Sequence, residues 1–136
     1  KEVKKTIPSL SMLAEGIGDP QVRNRGTIGG SIANNDPAAD YPSACIALNA
    51  VIHTNNRKID ANKFFKGMFE TALKSGEIIE AIEFQIPQKS SYQKWPNPAS
   101  RYAIVGVYVA NHKTGIKVAI TGAKPCAKAK DAFARS

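Results

Sequence analysis

A chain of 136 residues is sized for a single domain or for parts of two, and its 43% apolar residues and 10 glycines sit near the globular norm. A mean hydropathy of −0.27, with no apolar run approaching a bilayer-spanning length, argues against wholesale disorder and against a membrane span. The net charge of +8 is uneven: residues 1–60 hold seven Lys/Arg against six Asp/Glu, 61–90 four against four, and 91–136 eight against one.

In chain order, Lys1-Glu2-Val3-Lys4-Lys5 is charged and leads into an amphipathic segment instead of an apolar leader, so no secretory signal is expected and a cytoplasmic location is the default. Pro8 suits a helix start, and Leu10, Leu13 and Ile17 then share one helical face until Gly16 and Gly18 close it. From Asp19 to Asp40 turn chemistry dominates: Asp19-Pro20, Gly26, Gly29-Gly30 and Asn34-Asn35-Asp36-Pro37. These predict a long, specific loop with at most a short strand at Ser31–Ala33. A second helix starts either at Asp36 with Pro37 or at Tyr41 with Pro42, since Tyr41, Cys45 and Leu48 repeat at helical spacing, and it runs to about Asn49.

Ala50–Thr54 and Arg57–Ile59 predict a hairpin about Asn55-Asn56, and Asp60 caps a short helix through Phe64-Phe65 that Gly67 closes. Glu77–Ile86 alternates as a half-buried strand ended by Pro87, with Ile78, Ile82, Phe84 and Ile86 on one parity and a solvent-facing row of Glu77, Glu80 and Glu83. Residues 88–99 are polar and proline-bearing, which predicts a connection between two packing units. Tyr102–Ala110 and Ile116–Gly122 then form one antiparallel pair around the five-residue loop Asn111–Gly115, and Cys126–Ser136, rich in Ala and Lys, reads as the first turns of a helix.

The densest chemical signal is Gln21–Pro42. Two adjacent glycines let the main chain approach a bulky anion, and Thr27 and Ser31 beside them offer hydroxyls, so a phosphate or diphosphate would gain charge-assisted hydrogen bonds there. Arg23 and Arg25 add a positive field, although each also reads as an ordinary surface charge. No Gly-Lys-Ser/Thr follows and no GxGxxG is present, so this is neither a Walker loop nor a dinucleotide fingerprint. A glycine pair in a plain turn accounts for the same residues without a ligand. Cys45 and Cys126 are too few and too far apart for a disulfide framework or for a zinc or iron–sulfur motif, and read as reduced thiols; Cys45 fits a small core position. His53 and His112 have no partners at ligand spacing, so no metal site is expected.

The run RNRGTIGGSIANNDPAADYP, residues 23–42, closely resembles the second glycine-rich stretch of the FAD-binding medium subunit of molybdenum hydroxylases, the carbon monoxide dehydrogenase and xanthine dehydrogenase flavoprotein family. FFKGMFETALKSGEIIEAIEFQIP (64–87) is similar to the segment closing the family's flavin domain, and YQKWPNPASRYAIVGVYVA with KVAITGAKP resembles the start of its C-terminal subdomain. The likeness is colinear over essentially the whole chain. It implies an α+β fold: an antiparallel sheet with flanking helices over residues 1–87, the second half of a PCMH-type FAD-binding domain, followed by the beginning of a small α+β C-terminal subdomain over 88–136. It also implies a piece of a longer protein, without the family's first glycine-rich loop and the later part of its C-terminal subdomain.

Carried over residue by residue, the resemblance implies that Thr27, Ile28, Gly29, Gly30 and Ser31 wrap the FAD diphosphate and that Asp40 lies near the adenosine-side phosphate and ribose. Ile79 then packs by the isoalloxazine and Lys94 stands near its polar edge. As implied partners, a [2Fe-2S] small subunit and a molybdenum-cofactor large subunit would feed electrons to FAD for transfer to an acceptor, with the iron, sulfur and molybdenum ligands on those chains and no catalytic acid, base or nucleophile here.

Simpler readings compete at single residues: Asp40 as a helix cap, Lys94 as a solvated linker side chain lying on Trp95. For the whole chain the rivals are a non-catalytic interaction module, self-associating into a homo-oligomer through free sheet edges, and a nucleic-acid-binding module. The latter would use Tyr92, Trp95, Tyr102 and Tyr108 interleaved with Lys94, Arg101, Lys113 and Lys117, but no RNA-binding motif accompanies them, so no nucleic acid is expected.

Overall fold

The computed structural model describes residues 2–18 and 20–132. Two short helices open it, α1 (Glu2–Thr6) and α2 (Pro8–Glu15); the second has proline in its first turn, buries Leu10 and Leu13, and ends at Gly16. The glycine-rich run is helical where the sequence predicts a loop or a short strand: α3 (Pro20–Arg25) and α4 (Ile28–Asn34) occupy it. A glycine inside a helix costs about 1 kcal/mol relative to alanine. Both ends and one face of α4 offset that cost. Thr27 Oγ1 accepts from the Gly30 amide at 3.0 Å, Asn35 closes the helix in the left-handed conformation at φ 47°, and Ile32 is fully buried.

The next helix, α5 (Tyr41–Ala47), begins at the later of its two expected starts, and every residue from Pro42 to Ala47 is buried. The expected hairpin follows as β1 (Val51–Thr54) and β2 (Lys58–Asp60). The short helix α6 (Ala61–Phe64) stops before Phe65, and the Asp60 carboxylate makes no cap bond to it. Phe65 instead opens a small hairpin of β3 (Phe65–Gly67) and β4 (Glu70–Thr71). Asn35 holds this hairpin to the end of α4, its side-chain amide donating to the carbonyls of Gly67 at 2.7 Å and Glu70 at 2.8 Å.

The strand expected over Glu77–Ile86 is shorter, β5 (Ile79–Glu83), and completes an antiparallel sheet of order β2-β1-β5. A register shift opposite His53 and Thr54 changes the inward parity along it, so that Ile79 and Ile82 are half-buried while Ile78 and Ile86 are exposed. Glu77 leaves the predicted solvent-facing row altogether. Its buried carboxylate accepts from Arg57 Nε at 2.8 Å and Nη2 at 3.1 Å, from the Lys74 amide at 2.8 Å and from Thr54 Oγ1 at 2.9 Å.

The second sheet has four antiparallel strands in chain order: β6 (Lys89–Pro96), β7 (Ala103–His112), β8 (Gly115–Thr121) and β9 (Lys128–Ala132). Three expectations are corrected here. The presumed connection over 88–99 is mostly edge strand, the β7–β8 loop is a two-residue turn at Lys113-Thr114, and the Ala/Lys-rich end pairs with β8 as a strand, residues 133–136 lying outside those described. Ladder pairing with β8 outweighs the helix propensity of Ala and Lys. Helix α5 packs on β7 and β8, helix α2 on β6, and one apolar core runs from Leu13, Cys45 and Phe64 to Tyr108 and Ala119. Burial pushes the Cys45 thiol up to about 12, so it is an inert core group. The fold is α+β with antiparallel ladders throughout the described residues, and no helix among them is long and apolar enough to cross a membrane.

Hydrogen bonds from Arg57, then from the Lys74 amide, hold the Glu77 carboxyl down to about 2, below its ordinary 4.5. A carboxylate depressed in the native state contributes stability that is complete above its unfolded pKa and lost as pH falls through its native one. The thermal midpoint is therefore expected to drop between pH 4.5 and 2 in part through this group, and Glu77→Gln to decline less steeply over the same window. Circular dichroism melts measure both, and equal slopes would contradict the assignment.

Candidate functional site

The head of α4 lines a cavity of about 560 Å³. Ile17 and Gly18 bound it from the end of α2, Arg23 and Arg25 from α3, Asp36 and Asp40 from the loop before α5, and Arg101 and Tyr102 from the β6–β7 loop. At the helix head itself the wall is Thr27, Gly30 and Ser31. At Gly30 a Cβ would stand 3.0 Å from Thr27 Oγ1, a tight contact on the cap acceptor, which would have to give way. Gly29 faces the other way, where a Cβ would lie 3.9 Å from Ile79 Cγ2 in ordinary contact. The glycine pair thus performs two separate tasks, one towards the cavity and one towards β5.

The loop carrying Asp36 and Asp40 is fastened from within and from the second sheet. Asp36 Oδ1 accepts from the Ala38 amide at 2.8 Å; from β8, Thr121 Oγ1 donates to the carbonyls of Pro37 at 2.9 Å and Ala39 at 2.6 Å, and the Gly122 amide donates to Pro37 O at 2.8 Å. Asp40 is buried, and both of its carboxylate oxygens have donors from β6: the Tyr92 hydroxyl on Oδ1, and Lys94 Nζ on Oδ2 at 3.0 Å. Lys94 Nζ also donates to the carbonyl of Gly16 at the end of α2, at 2.8 Å. Burial raises the Asp40 pKa against the lowering pull of these hydrogen bonds, and burial with the Asp40 charge raises that of Tyr92, which keeps its proton and remains the donor.

Two simpler readings fail at these residues. Asp40 makes no side-chain cap bond to α5, and its carbonyl is taken by Ser43 Oγ at 2.7 Å. Lys94 is no solvated linker side chain, being only 11% exposed and ion-paired. Arg23 is exposed, as a surface charge is expected to be, and its Nη1 donates to Ile17 O at 3.1 Å and Gly18 O at 3.3 Å.

Of the residues singled out by sequence, Thr27, Gly30, Ser31 and Asp40 meet at the cavity. Ile28 lines a separate apolar groove with Ile82 and Phe84, Gly29 and Ile79 pack together behind the helix, and Lys94 reaches the cavity through Asp40. Sequence reasoning missed Ile17 and Tyr102 as lining residues, and Asn35 as the clamp between α4 and the β3–β4 hairpin. The helix pattern places Ile17 on the core face, which is the available signal; the sequence marks Tyr102 only as an aromatic among basic residues and Asn35 only as turn chemistry. The tyrosines and tryptophan of the nucleic-acid alternative form no common platform: Tyr108 is fully buried, Tyr92 is bound to Asp40, and Trp95 is exposed on the opposite face of β6 from Lys94.

The donor set fits the diphosphate part of a flavin dinucleotide. A bare glycine, two hydroxyls and arginines converge, and of the two acids lining the cavity Asp40 is neutralised by Lys94. Comparison with known proteins agrees. The fold matches carbon monoxide dehydrogenase from Hydrogenophaga pseudoflava with a TM-score of 0.83 at 34% identity, covering 93% of this chain and 48% of that one. Residues 1–89 match the family described as FAD binding domain in molybdopterin dehydrogenase, and the chain belongs to that family. The glyceraldehyde dehydrogenase medium chain of Sulfolobus acidocaldarius is 40% identical over 131 residues, 88% of this chain and 47% of the relative. The carbon monoxide dehydrogenase medium chain of Hydrogenophaga pseudoflava is 35% identical over 139 residues, 92% and 48% respectively. The chain thus spans about half the length of the curated relatives it matches.

Removing Lys94 would strand a buried carboxylate on Tyr92 alone. Because burial already raises the Asp40 pKa, ionisation costs the folded state more as pH rises through that native value. Lys94→Met is expected to destabilise by about 3 kcal/mol near neutral pH and by clearly less near pH 4. Urea unfolding at the two pH values measures this, and an identical loss at both would mean that the lysine acts through packing alone.

Proposed function

We propose that this chain is the flavin-holding part of the medium chain of a molybdenum hydroxylase, an oxidoreductase component that relays electrons from an iron–sulfur subunit through FAD to an acceptor. The observation that carries the reading is the cavity wall of Thr27, Gly30 and Ser31, where a capped helix leaves one glycine bare beside two hydroxyls. Bound FAD would supply a carrier that exchanges electrons with a redox centre on one side and an acceptor on the other. The chain's own residues bind and orient. Thr27, Gly30 and Ser31 contact the diphosphate, Ile28 and Gly29 shape the helix that presents them, and Asp40 sets the wall towards the adenosine side. Ile79, behind Gly29, supports the ring end, and Lys94 acts by fixing Asp40.

On this reading residues 1–87 are the second part of the FAD-binding domain and 88–136 the beginning of the following subdomain, which the extent of the family match supports. The partners are a [2Fe-2S] small subunit and a molybdenum-cofactor large subunit, in the cytoplasm; the medium-chain relatives support a multi-subunit assembly.

Calorimetric titration tests the site, since Trp95 is 70% exposed on the outward face of β6 and would report poorly by fluorescence. The chain is expected to bind FAD one to one. Gly30→Val should weaken that binding at least about tenfold, the loss of roughly one hydrogen bond to a charged group. Gly29→Ala, which meets only ordinary contact, should leave binding nearly unchanged and raise helix stability by about 0.5–1 kcal/mol. Equal losses from both substitutions would contradict the assignment of the two glycines.

A further inference from the structure

We propose that Arg101 is a further ligand-binding residue of this cavity, a guanidinium counter-charge to the ligand's diphosphate delivered by the β6–β7 loop. The inference rests on the flavin reading above and deepens it. Arg101 and Tyr102 are the lining residues contributed from beyond residue 41, so the second sheet closes the cavity through them.

The turn that presents Arg101 is fixed by its own hydrogen bonds. Asn97 Oδ1 accepts from the amides of Ala99 at 2.9 Å and Ser100 at 3.2 Å, the Arg101 amide donates to Asn97 O at 2.8 Å, and the Asn97 amide donates to Tyr102 O at 2.8 Å. Pro96 and Pro98 restrict the backbone on either side of Asn97. The result is an arginine at φ 59°, in the left-handed region where an L side chain is disfavoured and glycine would sit without strain. The local backbone gives no reason for a side chain at this position; a ligand facing it does.

The charges around the cavity point the same way. Arg23 is tied to the carbonyls of Ile17 and Gly18, and Asp40 is neutralised by Lys94. The Arg101 guanidinium makes no ion pair or hydrogen bond among the described residues, and neither does that of Arg25. Two arginines without a side-chain partner therefore line a space that also has Thr27 and Ser31 in its wall and, once Asp40 is paired with Lys94, a single remaining acid, Asp36; that excess of cationic donors suits a diphosphate better than a neutral ring.

The test is calorimetry on the full chain and on Arg101→Gly and Arg101→Lys, titrated separately with FAD, ADP and riboflavin. Arg101→Gly is expected to bind FAD and ADP about tenfold to a hundredfold more weakly, as for loss of one charge-assisted hydrogen bond. Binding of riboflavin, which carries no phosphate, should not change. The thermal midpoint of Arg101→Gly should hold or rise, because the strained φ is relieved, and Arg101→Lys should fall between the two in affinity. If Arg101→Gly melts early, the folded Arg101→Lys decides, by weakening FAD and ADP but not riboflavin. Unchanged FAD and ADP affinities, or an equal loss for riboflavin, overturn the inference while leaving the flavin reading intact. Absence of FAD binding by the unmodified chain overturns that reading, and this inference with it.

Discussion

One buried carboxylate organises this molecule. Asp40 sits where the helical segments meet the second sheet, and both of its acceptor oxygens are committed to donors on a single strand, Tyr92 and Lys94 of β6. A buried ion pair is a poor source of net stability, because desolvation consumes most of the Coulombic gain, but breaking one partner is costly. Its consequence here is positional. Lys94 ties Asp40 to the carbonyl of Gly16, while Thr121 and Gly122 tie the preceding loop to β8. The cavity wall is consequently built from two regions of sequence that neither helix propensity nor strand alternation would bring together.

Within that frame the glycine pair is a helix and not a flexible turn. The cap at Thr27 fixes the first turn, and the left-handed Asn35 ends the helix while its side chain holds the β3–β4 hairpin. The two glycines then differ in what surrounds them: a Cβ at Gly30 would press on the cap acceptor at 3.0 Å, whereas one at Gly29 would meet β5 only in ordinary contact at 3.9 Å. A rigid helix head is a better anion cradle than a loop, since little conformational entropy remains to be lost on binding.

Much of this was legible in the sequence. The helices at Pro8 and Tyr41 carry apolar residues at helical spacing and proline at their starts, and the β1–β2 hairpin follows from Asn55-Asn56 between short apolar runs. Four of the residues indicated by the glycine-rich run, Thr27, Gly30, Ser31 and Asp40, meet at the cavity. What failed did so for physical reasons. Strand β6 alternates, but its inward members are Ser90, Tyr92 and Lys94, polar groups that are half-buried because they find Ser9 and Asp40; a pattern that looks for apolar alternation cannot see it. Glu77 reads as solvent-facing until its partner Arg57, distant in sequence, is placed beside it. A register shift between β1 and β5 moved the buried parity from Ile78 to Ile79, and Arg101 reaches the cavity only because the turn at Asn97 folds it there.

The proposed function stands on one contact above the others, the diphosphate of FAD held at the head of α4. A crystal structure of the chain grown with saturating FAD tests this most directly. The account predicts diphosphate oxygens within hydrogen-bonding distance of Thr27, Gly30 and Ser31, with the Asp40–Lys94 pair intact. A diphosphate held elsewhere, or a cavity left without ligand at saturation, would contradict it.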